Sequence, residues 1–355
     1  MLERIEKAEK EIKSACERLG RRINIMEVCG THTVSIFRDG IKSILPDNLK
    51  LTSGPGCPVC VTDQWYIDCV VELAGRDDCI IATYGDMVRV PGHSGSLETR
   101  PGRVKVIFSS EDALELARKN PDKTVVFVAV GFETTTPATA VAVREADSEG
   151  IDNFCILSGH KLVVPAMDAV LSNKNHRIDA FLCPGHVAVI IGYGAFGKIV
   201  RQYKTPCVVA GFEAVQILEG LAVICEQLAA GQSELESVYK AVVTRQGNVT
   251  AQKTIAECFE AADGYWRGLG KIAKSSQKLK EQYRRFDAFD RFGLKEEHVE
   301  ELRGCRCGEV ISGLIEPPAC RLFAKECTPR TPVGPCMVSA EGACAAWYKY
   351  ENKKK

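Results

Sequence analysis

The sequence predicts an α/β protein of parallel sheets in two similar lobes, followed by a helical and then a thiol-rich C-terminal region. Three observations lead there. Up to about residue 230, short apolar runs alternate with helix-length amphipathic stretches, the pattern of parallel strands joined by crossover helices. After about residue 232 the patterns become long and helical. Beyond Gly304 periodicity fades, and the last 55 residues hold six of the cysteines. With 355 residues in the chain and roughly 150 per domain, two or three domains are expected.

Taken in order, residues 1–20 carry Leu2, Ile5, Ala8, Ile12, Ala15 and Leu19 at helical spacing with charges between them, an amphipathic helix. Eight strands are then expected at 23–28, 49–52, 79–83, 104–108, 124–130, 154–157, 180–182 and 207–210. Val90-Pro91-Gly92-His93-Ser94-Gly95 and Asn120-Pro121-Asp122 break the pattern near the middle, which puts the meeting of the two lobes near residue 120. The expected division is therefore an N-terminal helix over 1–20, lobes over 21–120 and 121–232, and a last region over 233–355. Helical patterns in that region cover 235–243 and 250–262, before a charged segment at 271–291. Lys353-Lys354-Lys355 reads as a solvated tail.

Lysine plus arginine, 46, balances aspartate plus glutamate, 46, so the basic excess that drives nucleic-acid binding is missing. An apolar fraction of 45% with 26% charged residues is that of a soluble globular chain rather than a disordered one. No uncharged apolar run reaches the ~20 residues that span a bilayer. Met1-Leu2-Glu3-Arg4-Ile5-Glu6-Lys7 has charges where a signal peptide has an apolar run, and a cytoplasmic location is expected. Seventeen cysteines are about one residue in twenty. In a reducing compartment disulfides are rare, so clustered thiols point to metal, redox or nucleophilic chemistry.

Cys29-Gly30-Thr31-His32-Thr33 stands where the first strand gives way to a helix. Ligands gather beyond the carboxyl ends of parallel strands, and a helix N-terminus favours a thiolate. Cys29 is a candidate nucleophile or metal ligand, with His32 as base or second ligand; a buried strand-end cysteine beside a capping threonine is the plain alternative. Gly54-Pro55-Gly56-Cys57-Pro58-Val59-Cys60 occupies the same kind of junction. Thiols at this spacing meet with little strain and the first is activated. Cys57 and Cys60 are thus a dithiol/disulfide switch, or half of a metal site that Cys29 and His32 complete.

Val128-Ala129-Val130-Gly131-Phe132-Glu133-Thr134-Thr135-Thr136-Pro137 runs an apolar strand into a Gly turn and a helix start. Its loop offers Glu133 and hydroxyls to an anion or a partner's backbone. No Gly-X4-Gly-Lys-Ser/Thr pattern occurs, so no ATP site of the chain's own is expected. Ser158-Gly159-His160 and Pro184-Gly185-His186 also follow strands, and His186, after a tight Pro-Gly turn, is the better functional candidate. Cys305, Cys320, Cys327 and Cys344 are separated by 14, 6 and 16 residues. Zinc ribbons use closely paired cysteines, whereas four widely spaced thiolates in Gly/Pro loops suit a [4Fe-4S] cluster. Cys307 and Cys336 compete as its ligands.

These motifs resemble, across nearly the whole chain, those of the HypD family, which helps build the Fe(CN)2CO unit of [NiFe]-hydrogenases. The resemblance implies two Rossmann-like lobes facing a cleft, and a third, mainly helical domain, made of the N-terminal helix and the C-terminal part, that carries a [4Fe-4S] cluster. It implies two partners: HypC, a small protein that shares an iron with this one, and HypE, which delivers cyanide as a thiocyanate. By motif, Cys29 helps hold that transient Fe(CN)2CO iron centre with His32 beside it. Cys57 and Cys60 are the redox pair, and Cys305, Cys320, Cys327 and Cys344 the cluster ligands. Glu341, in Ser339-Ala340-Glu341-Gly342-Ala343-Cys344, also falls in a stretch that looks like the family's. Two other classes stay open. An iron-sulfur disulfide reductase acting on a thioredoxin-like partner leaves the Cys29/His32 motif superfluous, and a zinc-stabilised scaffold lacks its zinc knuckles. The remaining cysteines are expected to act as small buried hydrophobes.

Overall fold

The computed structural model describes residues 1–351, so the Lys353-Lys354-Lys355 tail lies outside the described residues. All eight expected strands form: β1 (Ile23–Glu27), β2 (Leu49–Ser53), β3 (Cys79–Thr83), β4 (Val104–Val106), β5 (Thr124–Gly131), β6 (Phe154–His160), β7 (Ala180–Pro184) and β8 (Cys207–Ala210). Residues 235–243, expected to be helical, instead supply a ninth, β9 (Leu235–Ser237). Two parallel sheets result, β2-β1-β7-β8-β9 and β4-β3-β5-β6. Strands such as β5 are buried along nearly their whole length, which is why they read as apolar runs rather than as alternations.

Sheet membership does not follow the expected boundary near residue 120. Strands β3 to β6 all belong to the four-stranded sheet, while β7 and β8 return to the first sheet beside β1. The second sheet is thus inserted in sequence between the two halves of the first. Asn120-Pro121-Asp122 is the turn into β5, closed by the Lys123 N–H on the Asn120 carbonyl. Local periodicity reports where strands lie and not which strand they join.

The N-terminal helix α1 (Leu2–Leu19) also docks elsewhere than the resemblance implies. Its Ala8, Ile12, Ala15 and Cys16 are buried against the helix Ala214–Ala229 and one face of the five-stranded sheet, among Ile23, Ile25 and Leu221. Arg4–Glu219 at 2.8 Å and Arg18–Glu226 at 2.6 Å flank that seam. Between them Cys16 and Cys225 are neighbours in the same buried cluster. The apolar stripe of α1 therefore completes the first sheet's outer layer rather than the C-terminal region.

That region is not mainly helical. After the helix Val249–Cys258 comes an antiparallel hairpin, β10 (Phe259–Trp266) and β11 (Gly270–Leu279). The buried positions of β11 include Ser275 and Gln277, so the alternation that marks a strand is partly polar and hidden. Gly268 and Gly270, at φ 74° and 71°, close its turn. From Gly304 onward only short helices form, Cys307–Ile311, Pro335–Val338 and Ala343–Tyr350. The hairpin ties the parts together. Leu162 N–H bonds to the Ser275 carbonyl at 2.8 Å and Arg267 N–H to that of Val61 at 2.9 Å. Gly268 lies so close to Gly308 that a Cβ on it would stand 2.2 Å from the Gly308 Cα. No helix among the described residues is long and apolar enough to cross a membrane.

Candidate functional site

Strands β2, β1, β7 and β8 are neighbours and parallel, so their carboxyl ends release the loops bearing Cys57, Cys29, His186 and Phe212 along one edge. Cys29 directly precedes helix α2 (Gly30–Arg38). Burial pushes its thiol up to about 12, and the amides of His32 and Thr31 offset this only in part. The helix-end stabilisation expected for its thiolate is thus outweighed by desolvation. Glu27, which the sequence reading passes over, is buried beside it. Its carboxyl accepts from the Cys29 N–H at 3.0 Å and from the Thr33 hydroxyl, and burial raises it to about 8.

His32 is neutral, because burial lowers its ring to about 4. Its Nε2–H donates to the Gly211 carbonyl at 2.9 Å, which leaves Nδ1 a buried lone pair with no partner among the described residues. The Phe212 ring lies between two histidines, with centroids 4.8 Å from His32 and 3.9 Å from the exposed His186. A sequence signal for Phe212 exists: Gly211-Phe212-Glu213 after β8 repeats Gly131-Phe132-Glu133 after β5, as Pro184-Gly185-His186 repeats Ser158-Gly159-His160.

The C-terminal segment closes this group. Glu341 Oε1 accepts from the Thr31 hydroxyl at 2.6 Å, and its charge acts on both Cys29 and His186. Cys29, His32, His186 and Glu341 are thereby brought together. Glu133 stands apart, at the end of β5 on the other sheet. Its Oε1 accepts from the Val163 N–H at 3.1 Å, its Oε2 is buried and unpartnered among the described residues, and burial raises it to about 7. His160 is a core histidine, 3.1 Å from Thr139 Oγ1 and edge-on to Phe259.

Cys57 caps helix α3 (Pro58–Val61) and Cys60 lies within it, the Cys57 sulfur accepting from the Cys60 N–H at 3.2 Å. Burial raises the Cys60 thiol well above its ordinary range. Cys336 is the nearest thiol to it on the C-terminal side, with Cys307 and Cys344 beside Cys336 and Cys305 beside Cys307. All six C-terminal cysteines line one small cavity. Cys307 and Cys336 are buried, whereas Cys305, Cys320 and Cys344 are half-buried. Among the described residues no three His, Cys, Asp or Glu side chains converge on a single-ion site; the thiols surround a space instead. The Val333 N–H points at the Cys327 sulfur at 3.4 Å, and a Cβ on Gly334 would come within 2.5 Å of the Cys305 sulfur. Soft donors, an amide aimed at sulfur and a cradle kept open by glycine suit an iron-sulfur cluster.

The profile of HypD, described as the hydrogenase formation hypA family, matches residues 3–351. The chain is 41% identical over 348 residues to the hydrogenase maturation factor HypD of Cupriavidus necator, covering 95% of this chain and 92% of that one. It is 43% identical over 338 residues to the hydrogenase maturation factor HypD of Escherichia coli strain K12, covering 94% and 91% of the two chains. With that of Azotobacter vinelandii it shares 42% over 344 residues, again 94% and 91%. Similarity of this extent spans both sheets, the hairpin and the cysteine-lined cavity, and the chain belongs to the HypD family of hydrogenase maturation factors.

Proposed function

We propose that this protein assembles the Fe(CN)2CO unit of [NiFe]-hydrogenases together with HypC and HypE. The iron enters as substrate, held by Cys29 and by a thiolate of HypC, and HypE brings cyanide as a thiocyanate. Cys305, Cys320, Cys327 and Cys344 hold the [4Fe-4S] cluster, which when bound supplies single electrons to the thiols around it. A thiol as deeply buried as Cys29 gives up its proton when a soft cation arrives, because the cation's charge replaces the missing solvent. His32, neutral and with Nδ1 free, is the base at that point.

Releasing cyanide from sulfur is a reduction. The carbon–sulfur bond of the thiocyanate takes two electrons, cyanide leaves to the iron, and a thiolate remains on the carrier. Cys57 and Cys60 supply two electrons by closing to a disulfide with loss of two protons. The observation that carries the reading is the run of neighbouring thiols from Cys60 through Cys336 to the cavity, with the Cys57 sulfur accepting from the Cys60 N–H at its near end. A disulfide reductase would need that run but not the convergence of Cys29, His32, His186 and Glu341.

The test is infrared spectroscopy of the protein purified without oxygen in complex with HypC. Iron-bound cyanide and carbonyl bands are expected. Cys29→Ala is expected to lose them while keeping its iron and acid-labile sulfide. An unchanged cyanide band in that variant removes Cys29 from the mechanism.

A further inference from the structure

Ser339 connects the buried Cys57 to the protein surface. It is 1% exposed, and its hydroxyl has three partners. It donates to Asp86 Oδ2 at 2.9 Å, and it accepts from the Glu341 N–H at 3.2 Å and from the Cys57 thiol at 3.4 Å. One proton and two lone pairs are the whole capacity of a hydroxyl, so the Ser339 proton goes to Asp86 Oδ2 and its lone pairs to the Glu341 N–H and the Cys57 thiol. Asp86 belongs to the short turn Gly85–Met87 after β3 and also accepts from the Ala340 N–H at 3.2 Å. It is half-buried, with one side on Ser339 and another on water. Cys57 is only 5% exposed and has little contact with water of its own.

Resting on the reading of Cys57 and Cys60 as a working dithiol, we propose that Ser339 and Asp86 are the proton exit of Cys57. When the thiol ionises, its proton passes to the Ser339 oxygen while the Ser339 proton passes to Asp86, which releases it to solvent. The S–H bond and the old Ser339 O–H bond break; a new Ser339 O–H and an Asp86 O–H form. No electron moves in this step. The hydroxyl now points at the sulfur, so the thiolate is left with two donors, Ser339 and the Cys60 N–H at 3.2 Å, the support an anion requires in a dry site. Both are positioning residues that act through Cys57.

The other titratable groups around the sulfur are Cys60, with Cys336 beyond it, Cys29 across Gly56, and Glu341 next to Ser339. The Glu341 carboxylate is engaged by Thr31, and Cys60 and Cys29 are themselves held as thiols by burial. Asp86 is the carboxylate joined to the sulfur through a hydroxyl.

A proton passed along this chain couples the state of the thiol to that of the carboxylate. The test is the pH dependence of Cys57 alkylation by iodoacetamide, quantified on the Cys57 peptide by mass spectrometry in the reduced full-length protein. Inflection positions are read rather than absolute rates, so that reagent access cancels. The wild type is expected to show two inflections. Asp86→Asn is expected to show one, with alkylation near neutral pH about tenfold slower. Ser339→Ala also collapses to one. Ser339→Thr keeps the hydroxyl and both inflections, and stands in if the alanine variant does not fold. Superimposable profiles in the wild type and Asp86→Asn overturn the proposal. Disulfide mapping of the wild type after treatment with oxidised glutathione reports separately whether Cys57 and Cys60 pair, so that a failed relay and a failed dithiol are told apart.

Discussion

The Thr31 hydroxyl donates to the Glu341 carboxylate at 2.6 Å, across 310 residues of chain. That bond docks the C-terminal segment on the helix start that follows Cys29, and Gly30 is small enough for Glu341 to lie against it. Residues 339–344 then set Ser339 on Cys57, Glu341 on Thr31 and Cys344 on the cavity wall. Glu341→Gln keeps the size and removes the charge. It is expected to lower stability by about 1 kcal/mol, the difference between a hydrogen bond to a charged acceptor and one to a neutral acceptor, and to speed amide exchange over residues 29–33. Unchanged hydrogen exchange there, with an unchanged Tm, would show that the contact does no docking.

A second joint is made by backbone alone. Gly56 packs on Cys29 so tightly that a Cβ would stand 2.1 Å from the Cys29 nitrogen, and the Gly30 N–H bonds to the Gly56 carbonyl at 3.0 Å. Gly56→Ala must therefore push the two cysteine loops apart. A loss of about 1–3 kcal/mol is expected, as for other overpacked sites, together with faster alkylation of both Cys29 and Cys57. Denaturant unfolding and peptide-level alkylation check both; wild-type values in each would mean that the loops separate freely.

The strands are legible in the sequence because buried parallel strands are apolar runs, and 79–83 and 207–210 coincide with β3 and β8. Their partners are not legible. Nothing local says that β7 lies beside β1, and so sheet membership departs from a boundary near residue 120. Cys29, Cys57 and His186 stand out because they are thiols and an imidazole in loops at the carboxyl ends of parallel strands, where ligands gather. Asp86 and Ser339 do not, since each is an ordinary residue whose meaning comes from the other, 253 residues away. Glu27 is hidden by its place at the end of an apolar strand, and β11 by the polar side chains it turns inward.

Glu133 carries a pH signature. Its carboxyl is buried, and its pKa rises from 4.5 to about 7 through desolvation. The folded protein then holds this proton more tightly than the unfolded chain does. The stabilisation is complete below pH 4.5 and is lost as pH rises through about 7, on the order of a few kcal/mol for a shift of this size. Glu133→Gln, which cannot ionise, is expected to match the wild type near the acidic end of that window and to exceed its Tm above neutrality. Parallel curves of Tm against pH for the two proteins would rule this out.

Cys336 lies between Cys60 on one side and Cys307 and Cys344 on the other. Cys336→Ser leaves the shape nearly unchanged and removes the sulfur. With Cys305, Cys320, Cys327 and Cys344 as ligands, the variant is expected to keep its full complement of iron and acid-labile sulfide. Reduction of a Cys57–Cys60 disulfide after photoreduction of the protein is expected to slow at least about tenfold, because an oxygen takes no part in thiol exchange. The two measurements divide the possibilities. Loss of iron would make Cys336 a ligand in place of one of the four, and full iron with undiminished disulfide reduction would route the electrons past it.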